Sequence, residues 1–136
     1  EFIALLQPTS PFITSLVLDK VIRKIDQKKT FNSIQTIIKI PHNYHAYNQR
    51  RITIDNTLEF VFEDERKKMF NKQKKPVFYK FANLVITRIP QNLTLKSIFS
   101  KPSLPFIIDN ELEAMDLDSL IDFQSAEKLL DKTFSN

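Results

Sequence analysis

The chain contains no glycine in 136 residues, where average usage of ~7% would place about ten. Glycine enters positive φ and lets backbone approach a ligand closely at no steric cost. A turn that needs φ > 0 must therefore fall on Asn or Asp. Asp55-Asn56, between two β-prone runs, is such a place. A glycine-rich phosphate-cradling loop is absent from these residues. Cysteine is absent too. That excludes disulfide frameworks and cysteine-based zinc sites, and it suits a reducing compartment.

With 42% hydrophobic and 26% charged residues, the composition is that of a folded chain, and the length suffices for one domain with a core. No apolar run approaches the ~18 residues of a membrane-spanning helix. The net charge of +4 is uneven: residues 109–136 carry eight acids and two bases, the remainder eight acids and eighteen bases. A basic body with an acidic end segment suits a polyanion handled with a cation, and it also suits plain solubility, the commoner reason.

Phe2 to Leu6 is a short continuous apolar run, the pattern of a strand buried on both faces of a parallel sheet. A central strand at residue 2 has no preceding unit to pair with. The expectation is thus that the chain is the C-terminal part of a longer protein whose N-terminal part is missing. The alternative is an edge strand in a complete small domain, which is less expected because edges are usually blunted with charge. Gln7-Pro8-Thr9-Ser10-Pro11 follows, where open α/β sheets bind ligands, outside the carboxyl ends of strands. A proline-rich turn without a ligand explains the same residues. Thr14 or Ser15 caps a helix whose apolar face is Leu18, Val21, Ile22 and Ile25. Ser33 to Ile40 reads as a strand, completing a strand–helix–strand unit.

The loop 41–51 holds His42 and His45 three apart. A metal pair is one reading; ordinary loop residues or a pocket rim is the other. Ile52-Thr53-Ile54 and Leu58 to Phe62 alternate around Asp55-Asn56-Thr57, a β-hairpin within an insertion of about 50–63. Its face carries Phe60 and Phe62 opposite Ile52 and Ile54, to pack on a partner subunit, act as a flap, or bury a satellite core. The basic run Arg66 to Lys75 fits nucleic-acid phosphates, a solvated loop, or one base directed at an anionic substrate. Strands are expected at about 83–88 and 106–108, and a short helix at 93–99.

Asp116 and Asp118 precede a helix signal. Ser119 with Asp122 has capping-box spacing, and Leu120, Phe123, Ala126 and Leu130 share one helical face. In an extended segment both carboxylates point to one side and can reach one Mg²⁺, which takes one or two carboxylates plus substrate phosphates. Acids before a helix N-terminus are also favoured by the macrodipole alone.

Leu5-Leu6-Gln7-Pro8-Thr9-Ser10-Pro11, Lys72-Gln73-Lys74-Lys75-Pro76-Val77-Phe78-Tyr79-Lys80-Phe81-Ala82-Asn83 and Met115-Asp116-Leu117-Asp118-Ser119-Leu120-Ile121-Asp122-Phe123-Gln124-Ser125-Ala126-Glu127 stand in that order. Together they resemble the LLQPTSP, RQxxPxxYxxNG and IDIDxxxDFxxAE motifs of the CMP-sialic acid synthetases, or N-acylneuraminate cytidylyltransferases. The resemblance spans essentially the whole chain.

It implies an α/β, Rossmann-like nucleotidyltransferase of the nucleotide-diphospho-sugar transferase type with a β-hairpin excursion, one domain over 1–136. The implied reaction transfers CMP from CTP to an acidic nine-carbon sugar and releases pyrophosphate. The enzyme would be a cytoplasmic homodimer using Mg²⁺, with no nucleic-acid or membrane partner. Asp116 and Asp118 would be the catalytic, metal-holding pair. Gln7, Pro8, Thr9 and Ser10 would line the nucleotide and sugar site, and Lys72, Gln73, Tyr79 and Asn83 would lie near the sugar. The chain departs from the family where Ile13 replaces an Arg, Lys72 replaces an Arg, and Ala82-Asn83 replaces Asn-Gly. The family's upstream phosphate-binding segment is not among these residues. A non-catalytic relative kept for binding or assembly is the alternative.

Overall fold

The structure, a computed structural model, describes residues 1–69, 75–89 and 97–134, with side chains as far as 130. In chain order the elements are β1 (Phe2–Leu6), α1 (Ser15–Gln27), β2 (Ser33–Lys39), β3 (Arg50–Ile52), β4 (Leu58–Phe60), α2 (Glu63–Lys68), β5 (Tyr79–Arg88), β6 (Ser103–Ile107) and α3 (Leu120–Phe134). The chain divides into two compact units, residues 1–38 with 81–136, and residues 39–80.

The first unit is built on a mixed four-stranded sheet in the order β1-β5-β2-β6. β1 is antiparallel to β5, from Phe2 opposite Arg88 to Leu6 opposite Leu84. β2 and β6 are parallel, from Ser33 opposite Ser103 to Ile37 opposite Ile107. Between β5 and β2, Arg88 N donates to Asn32 O and Leu84 N to the Thr36 hydroxyl. Those contacts step in opposite directions along the two strands, so β5 runs against both neighbours.

The expected both-faces-buried first strand is not found. β1 is at the end of the sheet, and Ile3, Leu5 and Leu6 are exposed. The covered strand is β5, buried from Ala82 to Thr87 although Tyr79 and Lys80 at its start are exposed. Both runs are continuously apolar or β-prone, so position in the sheet, which local pattern does not encode, decides which one is covered.

Thr14 caps α1, its hydroxyl accepting from Val17 N. The helix buries Val17, Val21 and Ile25 against Ile34, Leu84 and Ile86. The expected face is rotated: Val17 belongs to it and Ile22 is exposed. Full burial of each such side chain is worth about 1.5–3 kcal/mol, so this contact dominates the unit's stability. A smaller cluster joins Ala82, Ile108 and Ala114.

α3 begins as expected. Ser119 N donates to an Asp122 carboxylate oxygen, and Asp122 N to the Ser119 hydroxyl. Its expected apolar face is not covered, however: Ala126 is buried, while Leu120, Phe123 and Leu130 are exposed.

In the second unit β3 and β4 form the expected hairpin, and Asn56 takes φ 58°. The missing glycine is thus replaced where the turn demands it. Asn56→Ala is expected to destabilise this unit by about 1 kcal/mol, since a Cβ in the left-handed region costs roughly 1–2 kcal/mol without Asn's local hydrogen bonding; thermal melting checks this. The register differs from expectation: Phe60 faces Arg50, and Ile52 faces Leu58. Ile52, Ile54 and Leu58 are exposed, so the hairpin tip buries no satellite core.

Helix α2, with Glu63, Asp64 and Glu65 in its first turn and Arg66, Lys67 and Lys68 in its last, was not anticipated. That charge order is the one the macrodipole favours. The helix expected at 93–99 falls mostly outside the described residues, and 97–99 enter a turn.

Candidate functional site

The loop after β1 is a tight turn. Ser10 N donates to Gln7 O at 3.1 Å, which puts Pro8 at the second position, where its fixed φ is favoured. Gln7 N is tied to Asn83 O at 2.9 Å. Pro8 is exposed, Gln7 and Thr9 are half-buried, and Ser10 is buried.

The acidic segment is docked on this turn. Leu117 N donates to Thr9 O at 2.8 Å. Two residues that flank Leu117 are the candidate carboxylates, so residues more than a hundred positions apart meet. Upstream of them, Glu113 accepts from Thr14 Oγ1 at 3.0 Å through its carboxylate and from Asn83 Nδ2 at 2.6 Å through its carbonyl. Asn83 is itself held from below: its Oδ1 is 2.9 Å from the buried Thr36 hydroxyl. Thr36 Oγ1 also accepts from Leu84 N at 2.8 Å and Asn83 N at 3.2 Å. Each end of the Asn83 amide thus has one protein partner. Thr36 and Glu113 carry this support, and nothing in their sequence spacing announces it.

Two buried polar atoms have no hydrogen-bond partner among the described residues: Ser10 Oγ and Asp116 Oδ1. Such groups are rare in folded proteins, and each calls for a specific reason. Here they belong to the two segments that the Thr9–Leu117 bond joins. Asp118 is exposed.

No set of three or more His, Asp or Glu with metal-holding geometry occurs among the described residues. Two carboxylates still suit Mg²⁺, which completes its octahedron with water and phosphate oxygens. An unpaired buried carboxylate oxygen beside a solvent-exposed carboxylate fits that cation's demand for hard oxygen ligands.

Tyr79 lies in the second unit at the start of β5 and is exposed; Lys72 and Gln73 fall outside the described residues. The histidine pair does not form a metal site. His45 is buried, its Nδ1 accepts from Tyr47 N at 3.1 Å, and its Nε2 is 2.9 Å from Pro76 O. The imidazole also stacks on Phe78, with ring centroids 4.6 Å apart. With both nitrogens engaged, it is a structural residue of the second unit.

No protein-family model matches the chain, and no curated protein matches it.

Proposed function

We propose that this chain acts in transferring CMP from CTP to a sialic-acid-like nonulosonic acid, with release of pyrophosphate, within a Rossmann-like nucleotidyltransferase fold. The observation that carries the reading is the Thr9–Leu117 hydrogen bond, which joins the two sequence segments the chemistry requires and leaves Ser10 Oγ and Asp116 Oδ1 unspent beside it. The sugar hydroxyl attacks the α-phosphorus in line, and positioning and charge neutralisation provide most of the rate. Asp116 and Asp118 hold Mg²⁺, which when bound neutralises charge on the phosphates. Gln7, Pro8, Thr9 and Ser10 orient the substrates; the resemblance alone assigns Lys72, Gln73 and Tyr79 to the sugar. Asn83 acts beneath the site by fixing the acidic segment. The exposed apolar hairpin tip supports homodimer formation, and a cysteine-free chain supports a cytoplasmic location. No helix among the described residues is long and apolar enough to cross a membrane.

Titration of the chain with CMP-N-acetylneuraminate in Mg²⁺, followed by amide NMR, tests this reading. Saturable shifts at residues 7–10 and 115–118 are expected; shifts elsewhere only, or none, count against it. Without a glycine-rich triphosphate cradle, the chain by itself is expected to release no pyrophosphate from CTP and N-acetylneuraminate. The non-catalytic alternative shares the binding result but not the dependence on Mg²⁺.

A further inference from the structure

Three cations of the second unit converge on one neutral residue. Arg66 Nη1 and Lys75 Nζ both donate to Asn48 Oδ1, at 3.1 and 2.7 Å, and Arg50 Nη1 donates to the Asn48 carbonyl at 3.2 Å. The two donors that share Oδ1 are held within about 6 Å of each other, a range at which like charges repel. Phe60 fixes both guanidinium groups, with Arg50 4.3 Å and Arg66 4.2 Å from its ring centroid. Arg66 and Lys75 are half-buried.

Two of the nearby acids are engaged elsewhere. Glu59 accepts from Arg51 at 2.5 Å, and Glu63 pairs with Lys67 at 2.8 Å. The Lys67 hydrogen bond, and then its charge, hold the Glu63 carboxyl below its ordinary range. Asp64 and Glu65 share α2 with Arg66 but make no ion pair with it. Among the described residues, no carboxylate is within ion-pair distance of Arg50, Arg66 or Lys75.

Each guanidinium carries five N–H donors and the ammonium three, so most of the donor capacity is unspent. Planar guanidinium forks match phosphate oxygens. A phosphate dianion balances three cations better than a carboxylate monoanion does.

We propose that Arg50, Arg66 and Lys75, gathered around Asn48, form a binding site for a phosphate group, free or as the end of a diphosphate. The site uses no residue assigned to CMP transfer and stands without that reading.

The test titrates the full chain with inorganic phosphate and with pyrophosphate at constant ionic strength, by calorimetry and amide NMR. Saturable binding is expected, with shifts at residues 47–50, 60, 66 and 75. Arg66→Gln and Lys75→Met should each weaken it about tenfold, the scale of a lost charged hydrogen bond. Arg51→Gln, outside the cluster, should not. Asn48→Asp guards against misfolding: it supplies the missing negative charge in the same shape. It should raise the thermal midpoint and lower pyrophosphate affinity about tenfold or more. Equal losses in Arg51→Gln and Arg66→Gln, or unchanged affinity in Asn48→Asp, would overturn the site. So would single-stranded RNA binding through these three residues where phosphate and pyrophosphate do not bind.

Discussion

Asp116→Asn and Asp118→Asn are each expected to lower Mg²⁺ affinity at least tenfold, measured by calorimetry with CMP-N-acetylneuraminate present, while the fold survives. Loss of a mere outer partner of a metal ligand typically costs about 10–100-fold in affinity, so loss of a ligand's charge should cost no less. The stability side separates the two residues. Asp118 is exposed and precedes the Ser119 cap. Its removal sacrifices only a helix-dipole interaction of about 0.3–1 kcal/mol. Asp116 has a buried oxygen with no partner. Taking an uncompensated charge out of a partly buried place removes a desolvation cost, so Asp116→Asn is expected to hold or raise the thermal midpoint. A gain in stability with a loss of metal binding is the mark of a residue kept for chemistry. A steep loss of stability in either variant would identify the carboxylates as structural.

Thr36→Val should destabilise the first unit by about 2–4 kcal/mol, the scale of orphaning several buried hydrogen-bonding groups at once. The substitution keeps the shape of a side chain with no exposed surface. It strands Leu84 N, Asn83 N and Asn83 Oδ1, all of which now meet one hydroxyl. The thermal midpoint should fall by about 5–15 °C for a chain of this size. The same change should loosen the acidic segment, because Asn83 Nδ2 holds it through Glu113 O. Faster amide exchange at Leu117, the donor to Thr9, reports that second effect. Thr36→Ser, which keeps the hydroxyl, should restore slow exchange at Leu117. If Thr36→Val exchanges Leu117 at the wild-type rate, the Thr36–Asn83–Glu113 chain does not support the site.

Local signals in the sequence are reproduced where the physics is local. Thr14 and Ser119 accept from backbone amides three residues on, and Asp122 accepts from the one three residues back, whatever the fold around them. Asn56 sits at positive φ because a glycine-free hairpin has few other ways to turn. What depends on the neighbour was not legible. Phe2–Leu6 and Ala82–Thr87 read alike, yet one is at the end of the sheet and the other in its middle. The α3 apolar positions have the right period, yet Ala126 alone among those four is buried. The hairpin alternates correctly, but its register sets Phe60 against Arg50 rather than an isoleucine. For the site, the residues taken by themselves offer the two segments as separate candidates, and it is the resemblance that puts them in one enzyme. Only the folded chain joins them at Thr9 and Leu117 and reveals Asn83 as their support. The gathering of Arg50, Arg66 and Lys75 on Asn48 was likewise invisible, since it spans residues 48 to 75.

The central claim is that the turn at Gln7–Ser10 and the carboxylates Asp116 and Asp118 form one cation-dependent site. Paramagnetic Mn²⁺, which takes the same hard oxygen ligands as Mg²⁺, tests it without requiring turnover. Substoichiometric Mn²⁺ is added to the isotopically labelled chain, and amide line broadening is read residue by residue. The site predicts selective broadening at 116–118 and at Thr9 and Ser10 together, removed by excess Mg²⁺ and absent in Asp116→Asn. Broadening spread evenly over Asp109, Glu111, Asp118 and Glu127, or confined to 116–118 with Thr9 and Ser10 sharp, would contradict it and leave the two acids as no more than the negative lead-in to a helix.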